Sequence, residues 1–150
     1  MHKVREAVVR YKYHNVRLET INNPSFALKF FQKRLSGATK ESMHVVYMNG
    51  NLEVVAFEDV GLGCFNHCSI EAKSIVRTAL LVGGESILLL HNHPSGNLLP
   101  SPEDCVATKG ISRCCEVFGI PVIDHLIIFE NEYLSMKERG YLDGQISKQG

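Results

Sequence analysis

The 150-residue sequence has no tryptophan, only five prolines and no long apolar run; its longest unbroken aliphatic stretch is Ile87 to Leu90. A spanning helix needs about 20 such residues, so no membrane insertion is expected. The first ten residues, MHKVREAVVR, are charged where a secretory signal is apolar, which argues against export by that route. An excess of one charge is also missing: 16 Lys and Arg balance 16 Asp and Glu, which excludes a strongly basic nucleic-acid binder. The five cysteines, Cys64, Cys68, Cys105, Cys114 and Cys115, are odd in number and contain no CxxC. They read as reduced thiols of a cytoplasmic protein rather than as disulfides or a thiolate zinc site.

Several catalytic signatures are absent as well. There is no HExxH, no GxSxG, and no HxE with a downstream PCxxC of the kind that zinc deaminases carry. Gly61-Leu62-Gly63 has Asn66 where a third dinucleotide glycine would fall, so it reads as a loop.

What is present is 45% hydrophobic and 21% charged, the composition of one compact domain. A chain of this length buries on the order of two thirds of its unfolded surface and needs no metal to fold. Any metal site therefore asks for a functional explanation. The neutral total hides an asymmetry: residues 1–50 carry nine Lys/Arg and three Asp/Glu, and residues 51–150 carry seven and thirteen. The cations Lys3, Arg5, Arg10, Lys12, Arg17, Lys29, Lys33 and Arg34 read most simply as a solvated face. Contact with phosphates or an acidic partner is the alternative.

Residues 1–22 are expected to form a basic extension with an edge strand, residues 23–143 the domain, and residues 144–150 a flexible tail. Asn23-Pro24 starts a helix over Ser25 to Leu35. Ser42 to Met48 and Leu52 to Phe57 read as strands joined by Asn49-Gly50, a dipeptide suited to positive φ, with an irregular stretch after them. A helix over Ser69 to Val82 and a buried strand over Ser86 to Leu90 follow. Ser101 caps a helix running to about Phe118, with Val106, Ile111, Cys114, Cys115 and Phe118 as its apolar side. Strands over Pro121 to Phe129 and Tyr133 to Ser135 complete an α/β layered domain with a mixed sheet, and Met136 to Arg139 reads as one helical turn.

The chemistry gathers at the end of the apolar strand. His91 and His93 are two apart, so both imidazoles project to one face of the strand while Leu90 and Asn92 point the other way. Asp104 falls in the first turn of the next helix, where the dipole favours a carboxylate. Two imidazoles and a carboxylate suit a catalytic zinc, with a fourth position left for water. Glu41 is a candidate base, although fifty positions separate it from His91. The Ser101 oxygen can accept a helix N–H while its O–H donates to an oxyanion.

His91-x-His93, seven residues, Ser101, two residues and Asp104, with an upstream glutamate, resembles the signature of the JAMM family of JAB/MPN metalloenzymes. HNHPSG at 91–96, SPED at 101–104, GIPVIDHLII at 119–128 and EYLSMKERGYL at 132–142 resemble RadC-like proteins more closely. The resemblance implies a three-layer, cytidine-deaminase-like α/β domain with zinc held by His91, His93 and Asp104. It also implies Glu41 as general acid/base and Ser101 as oxyanion donor, and it includes Asp124-His125, to which a structural role is assigned. The sequence departs from the resemblance at Glu71-Ala72-Lys73-Ser74, where RadC-like proteins carry a His-Pro-Arg-Glu-like stretch. Its 40 leading residues are too few and too strand-like for their helix-hairpin-helix region, so none is expected here. The implied activity is zinc-dependent hydrolysis of a peptide or isopeptide bond in a protein substrate. A DNA-interacting factor, repair-associated or mobile-element-associated, and a non-catalytic MPN scaffold are the alternatives.

Overall fold

The computed structural model describes residues 1–13, 24–35, 37–62 and 68–142. Eight elements follow one another: α1 (Pro24–Leu35), β1 (Ser42–Met48), β2 (Val54–Leu62), α2 (Cys68–Val82), β3 (Ser86–Asn92), α3 (Pro102–Val117), β4 (Val122–Phe129) and β5 (Glu132–Ser135). The strands form one sheet in the order β2-β1-β3-β4-β5. β3 and β4 run parallel, joined through α3, and the other neighbours are antiparallel, so the sheet is mixed.

The alternation of side chains along the central strands divides the core in two. Val46, Met48, Leu88, Leu90, Leu126 and Ile128 face α1, which inserts Phe31 and Leu35. Val45, Tyr47, Ile87 and Leu89 face α2 and α3, which contribute Ala72, Ile75, Ala79, Ile111 and Cys115. Helices thus cover both faces, which gives the expected three-layer α/β arrangement. It also explains why every residue of β1 and β3 is buried. The Tyr47 hydroxyl donates to Glu58 Oε1 at 2.5 Å and the Thr78 hydroxyl to Glu58 Oε2 at 3.1 Å, tying β1, β2 and α2 together. Burial and the neighbouring carboxylate push the Tyr47 phenol well above its ordinary pKa, so it remains a donor. No helix among the described residues is long and apolar enough to cross a membrane.

The structure corrects the expectations in five places. The hairpin turn is a three-residue loop closed by Asn49 N–H to the Glu53 carbonyl, and its positive φ, 61°, is at Leu52 rather than Gly50. The Asn49 side chain drives this, accepting the N–H groups of Asn51 and Glu53 at 3.0 Å. β2 begins at Val54 and runs to Leu62, so Gly61-Leu62 is strand and not loop. A bulge between Met43 and His44 in the pairing, with Gly61 at φ 157°, lets the ladder continue.

Along α3 the buried residues are Asp104, Ala107, Thr108, Ile111 and Cys115, whereas Val106 and Phe118 are more than half exposed and Cys114 is exposed. The inward stripe includes two polar residues, which an apolar pattern cannot reveal. Residues 136–140 form hydrogen-bonded turns rather than helix. No strand forms over residues 1–13; their Tyr11 hydroxyl instead donates to the Leu81 carbonyl at 2.7 Å at the end of α2. The rest of the expected edge strand, Asn23, Cys64 and the 144–150 tail lie outside the described residues.

His44, on the α1 face of β1, stacks near the Phe31 ring and contacts Ser42 Oγ at 3.3 Å. Burial lowers its pKa below 6.5, against the pull of Asp59 and with the help of Arg34. The unfolded chain then binds more protons than the folded one below that pH. The stability His44 contributes is complete above pH 6.5 and is lost as the pH falls towards the folded value. Urea denaturation from pH 7.5 to 5 is expected to show falling stability, with a shallower fall in His44→Phe. An unchanged slope in the variant would count against this origin.

Candidate metal centre

β3 ends in a polar corner. The strand alternation that sends Leu90 to α1 sends His91 to the α3 side, and His93 follows just beyond the strand. Their Nε2 atoms lie 2.7 Å apart. Asp104 reaches the same point from the first turn of α3, with Oδ2 3.2 Å from His93 Nε2 and 3.5 Å from His91 Nε2. That turn is held by a capping box in which Ser101 N–H donates to Asp104 Oδ2 at 2.8 Å and Asp104 N–H donates to Ser101 Oγ at 3.0 Å.

Glu41 arrives by strand pairing. Antiparallel β1 and β3 place Met43 opposite His91, so Glu41, two residues before Met43, comes abreast of His93. Its Oε1 lies 3.5 Å from both imidazole Nε2 atoms. Four ligand atoms, from Glu41, His91, His93 and Asp104, thus lie within 4.8 Å of one another. The Glu41 side chain is 36% exposed, whereas those of His91 and Asp104 are 0% and 2% exposed, so Glu41 forms the mouth of the cluster.

The donor set suits a cation. His93 Nδ1 faces the Asn97 carbonyl at 2.5 Å, so its proton is there and Nε2 presents a lone pair. This contact depends on the turn closed by Gly96 N–H to the His93 carbonyl. Gly96 has φ 84°, and a Cβ on it would meet the Phe129 ring at 3.2 Å. The cluster therefore brings together imidazole nitrogens and carboxylate oxygens, ligands that a divalent ion of borderline softness accepts. Its electrostatics favour positive charge: the Asp104 carboxylate beside it raises the His93 pKa despite burial. Burial alone would raise the pKa of Asp104, but the adjacent His91 and His93 imidazoles and the Ser101 N–H hold it well below the carboxylate range. Cys105, Cys114 and Cys115 are free and lie outside the cluster.

Three further residues, Asn92, His125 and Thr108, shape the site from outside the cluster. The Asn92 side chain accepts Ser42 N–H at 2.8 Å and donates to the Lys40 carbonyl at 3.1 Å, clamping the chain on either side of Glu41. His125 Nε2 lies 2.6 Å from His91 Nδ1, and Thr108 Oγ1 lies 2.7 Å from His125 Nδ1. Complete burial, with His91 beside it, pushes the His125 pKa well below 6.5. The neighbouring Asp124 accepts Ser135 O–H at 2.6 Å and Lys137 N–H at 3.0 Å, bracing the turn after β5. Only the position of Asn92 between the two histidines hinted at its role. For Thr108 no sequence signal existed. Beside His93 a cavity of about 360 Å³ opens, lined in part by Gln32, Leu35, Pro94, Ile128 and Phe129.

Comparison with known proteins identifies a family. The family model described as RadC-like JAB domain matches residues 21–141. A protein of Staphylococcus carnosus (strain TM300), described as a UPF0758 protein, is 35% identical over 123 residues, which cover 82% of this chain and 54% of its own length. The chain thus spans about half the length of that curated relative.

His91→Ala and Asp104→Ala are each expected to abolish stoichiometric binding of a divalent metal, measured by elemental analysis after dialysis. Unchanged metal content in both variants would overturn the ligand assignment. Asn92→Ala is expected to lower stability by about 1 to 3 kcal/mol in urea denaturation, because the buried Ser42 N–H loses its partner. A loss below the resolution of that measurement would show that water replaces the clamp.

Proposed function

The chain belongs to the RadC-like JAB domain family, and from that premise we propose that its polar corner is the centre of a zinc-dependent hydrolase acting on a peptide or isopeptide bond. The observation that carries this reading is the convergence of two imidazole nitrogens and two carboxylate oxygens at one partly open point. In it, His91, His93 and Asp104 hold the zinc. When bound, zinc supplies the Lewis acidity that amide hydrolysis needs at neutral pH.

The protein groups supply the rest. Glu41, at the exposed mouth, accepts the proton of the attacking water and returns it to the leaving amine as the C–N bond breaks. Ser101 Oγ already accepts Asp104 N–H, so its own O–H proton is directed elsewhere and serves the oxyanion that develops on the carbonyl. Burial of His91 and Asp104 keeps water from competing for these groups on the inner side. The cavity beside His93 offers room for side chains flanking the scissile bond in a protein or peptide substrate. The four-residue cluster favours catalysis over a scaffold role, since a scaffold has no need of converging ligand atoms.

The test is a panel of fluorogenic peptides and isopeptide-linked conjugates, assayed with the zinc-loaded protein. Cleavage is expected, removed by chelation and restored by zinc. Glu41→Gln should retain zinc and lose about 10²- to 10⁴-fold in kcat, the usual contribution of a positioned acid/base. Full activity in Glu41→Gln would remove Glu41 from the mechanism, and a zinc-loaded protein inert on every amide in the panel would count against the substrate class.

A further inference from the structure

We propose that His125 and Thr108 are positioning residues that fix the His91 ring with Nε2 as its metal-facing nitrogen, through a buried hydrogen-bonded chain ending on the Asp104 carbonyl. The inference rests on reading the cluster as a zinc site, and it is independent of what the site hydrolyses.

The direction of the chain follows from counting protons. Thr108 Oγ1 lies 2.6 Å from the Asp104 carbonyl oxygen, which has no proton, so the hydroxyl donates there. The Met136 sulfur, 3.9 Å away, is too weak an acceptor to compete. A hydroxyl has one proton, so towards His125 Nδ1 the same oxygen can only accept. His125 Nδ1 therefore carries hydrogen. The His125 ring is fully buried, and its two ring hydrogen bonds go to His91 and Thr108, neither of them an anion. A second ring proton would place an unpaired charge in the core, so Nε2 is bare. It accepts from His91 Nδ1 at 2.6 Å, and the His91 proton is on that nitrogen. His91 Nε2 is left as the lone pair turned towards Glu41 and Asp104.

This arrangement assigns different devices to the two histidines. His93, at the strand end, is oriented by a backbone carbonyl in its own loop, at Asn97. His91 is oriented by a chain crossing from β3 to β4 to α3 and closing on Asp104, the residue that supplies the carboxylate. The relative placement of these two ligands is thereby linked through Thr108 as well as through the sheet. A side chain that orients a ligating imidazole affects both its tautomer and its basicity. The Asp124-His125 pair then divides its work, Asp124 bracing the turn after β5 and His125 setting a ligand.

Two measurements on the purified full chain test this. Imidazole ¹⁵N spectra are expected to show His125 as the Nδ1–H tautomer and His91 with a proton on Nδ1; an Nε2–H tautomer at His125 would overturn the proposal. Zinc affinity is read by chelator competition. His125→Phe and Thr108→Val are expected to weaken zinc binding about 10- to 100-fold, while Thr108→Ser, which keeps the hydroxyl, should restore it to near the wild-type value. Thr108→Val exchanges a hydroxyl for a methyl, so it remains informative if His125→Phe fails to fold. Wild-type zinc affinity in Thr108→Val overturns this proposal alone. A wild-type chain that binds no zinc overturns the metal reading of the cluster and this proposal with it.

Discussion

The antiparallel pairing of β1 with β3 places Met43 opposite His91, and the geometry of the polar corner depends on that register. A slip of one residue would turn the side chains of β1 to the opposite face. Glu41 would then leave the histidines. The register is strongly determined because both faces of the two strands are buried, with Val45 and Tyr47 packed towards α2 and α3 and Val46 and Met48 towards α1. A slipped strand would have to exchange both sets at once. The Asn92 side chain secures the open end, where the apolar contacts give out and Glu41 emerges.

The corner is also where the topology provides space. β3 and β4 are parallel neighbours connected by α3, while β1 runs the other way on the far side of β3. At the carboxyl end of such a parallel pair the chain must leave the sheet to reach the helix, opening a crevice that only loop and helix-terminal residues can line. His93, the 94–100 loop, Ser101 and Asp104 are those residues. The helix start contributes its unpaired N–H groups and its dipole, and Asp104 uses both, as capping partner and as cluster member.

Burying His91, Asp104, Thr108 and His125 in an otherwise apolar core is costly unless every polar atom is paired. Here the inner atoms are paired, His91 through His125 and Thr108 to the Asp104 carbonyl and His93 to the Asn97 carbonyl, and the two Nε2 atoms are turned towards Asp104 and the exposed Glu41. An apolar packing of the same layers would be simpler to stabilise. Retaining a polar cluster at one strand end makes physical sense when its outermost atoms engage something from solution, which is the reading that membership of the RadC-like JAB domain family also supports.

Much of this was legible in the amino-acid order because it depends on short-range periodicity. The two-residue spacing of His91 and His93 on a strand, Ser101-Pro102 opening a helix with Asp104 in its first turn, and the apolar run before His91 are all local statements. The hairpin was less legible: Asn49-Gly50 suggested a tight turn, but the Asn49 side chain stabilises a wider loop and leaves the strained φ on Leu52. An apolar pattern does not mark the inward face of α3, because two of its buried residues, Asp104 and Thr108, are polar. What the sequence by itself determined is therefore the identity of His91, His93 and Asp104 as candidate ligands and the element that carries each. Only the tertiary structure decided that Glu41 meets His93, that Asn92 clamps its approach and that His125 and Thr108 stand behind His91. Those contacts are set by strand register and by the packing of α3 on the sheet, and no local pattern encodes either.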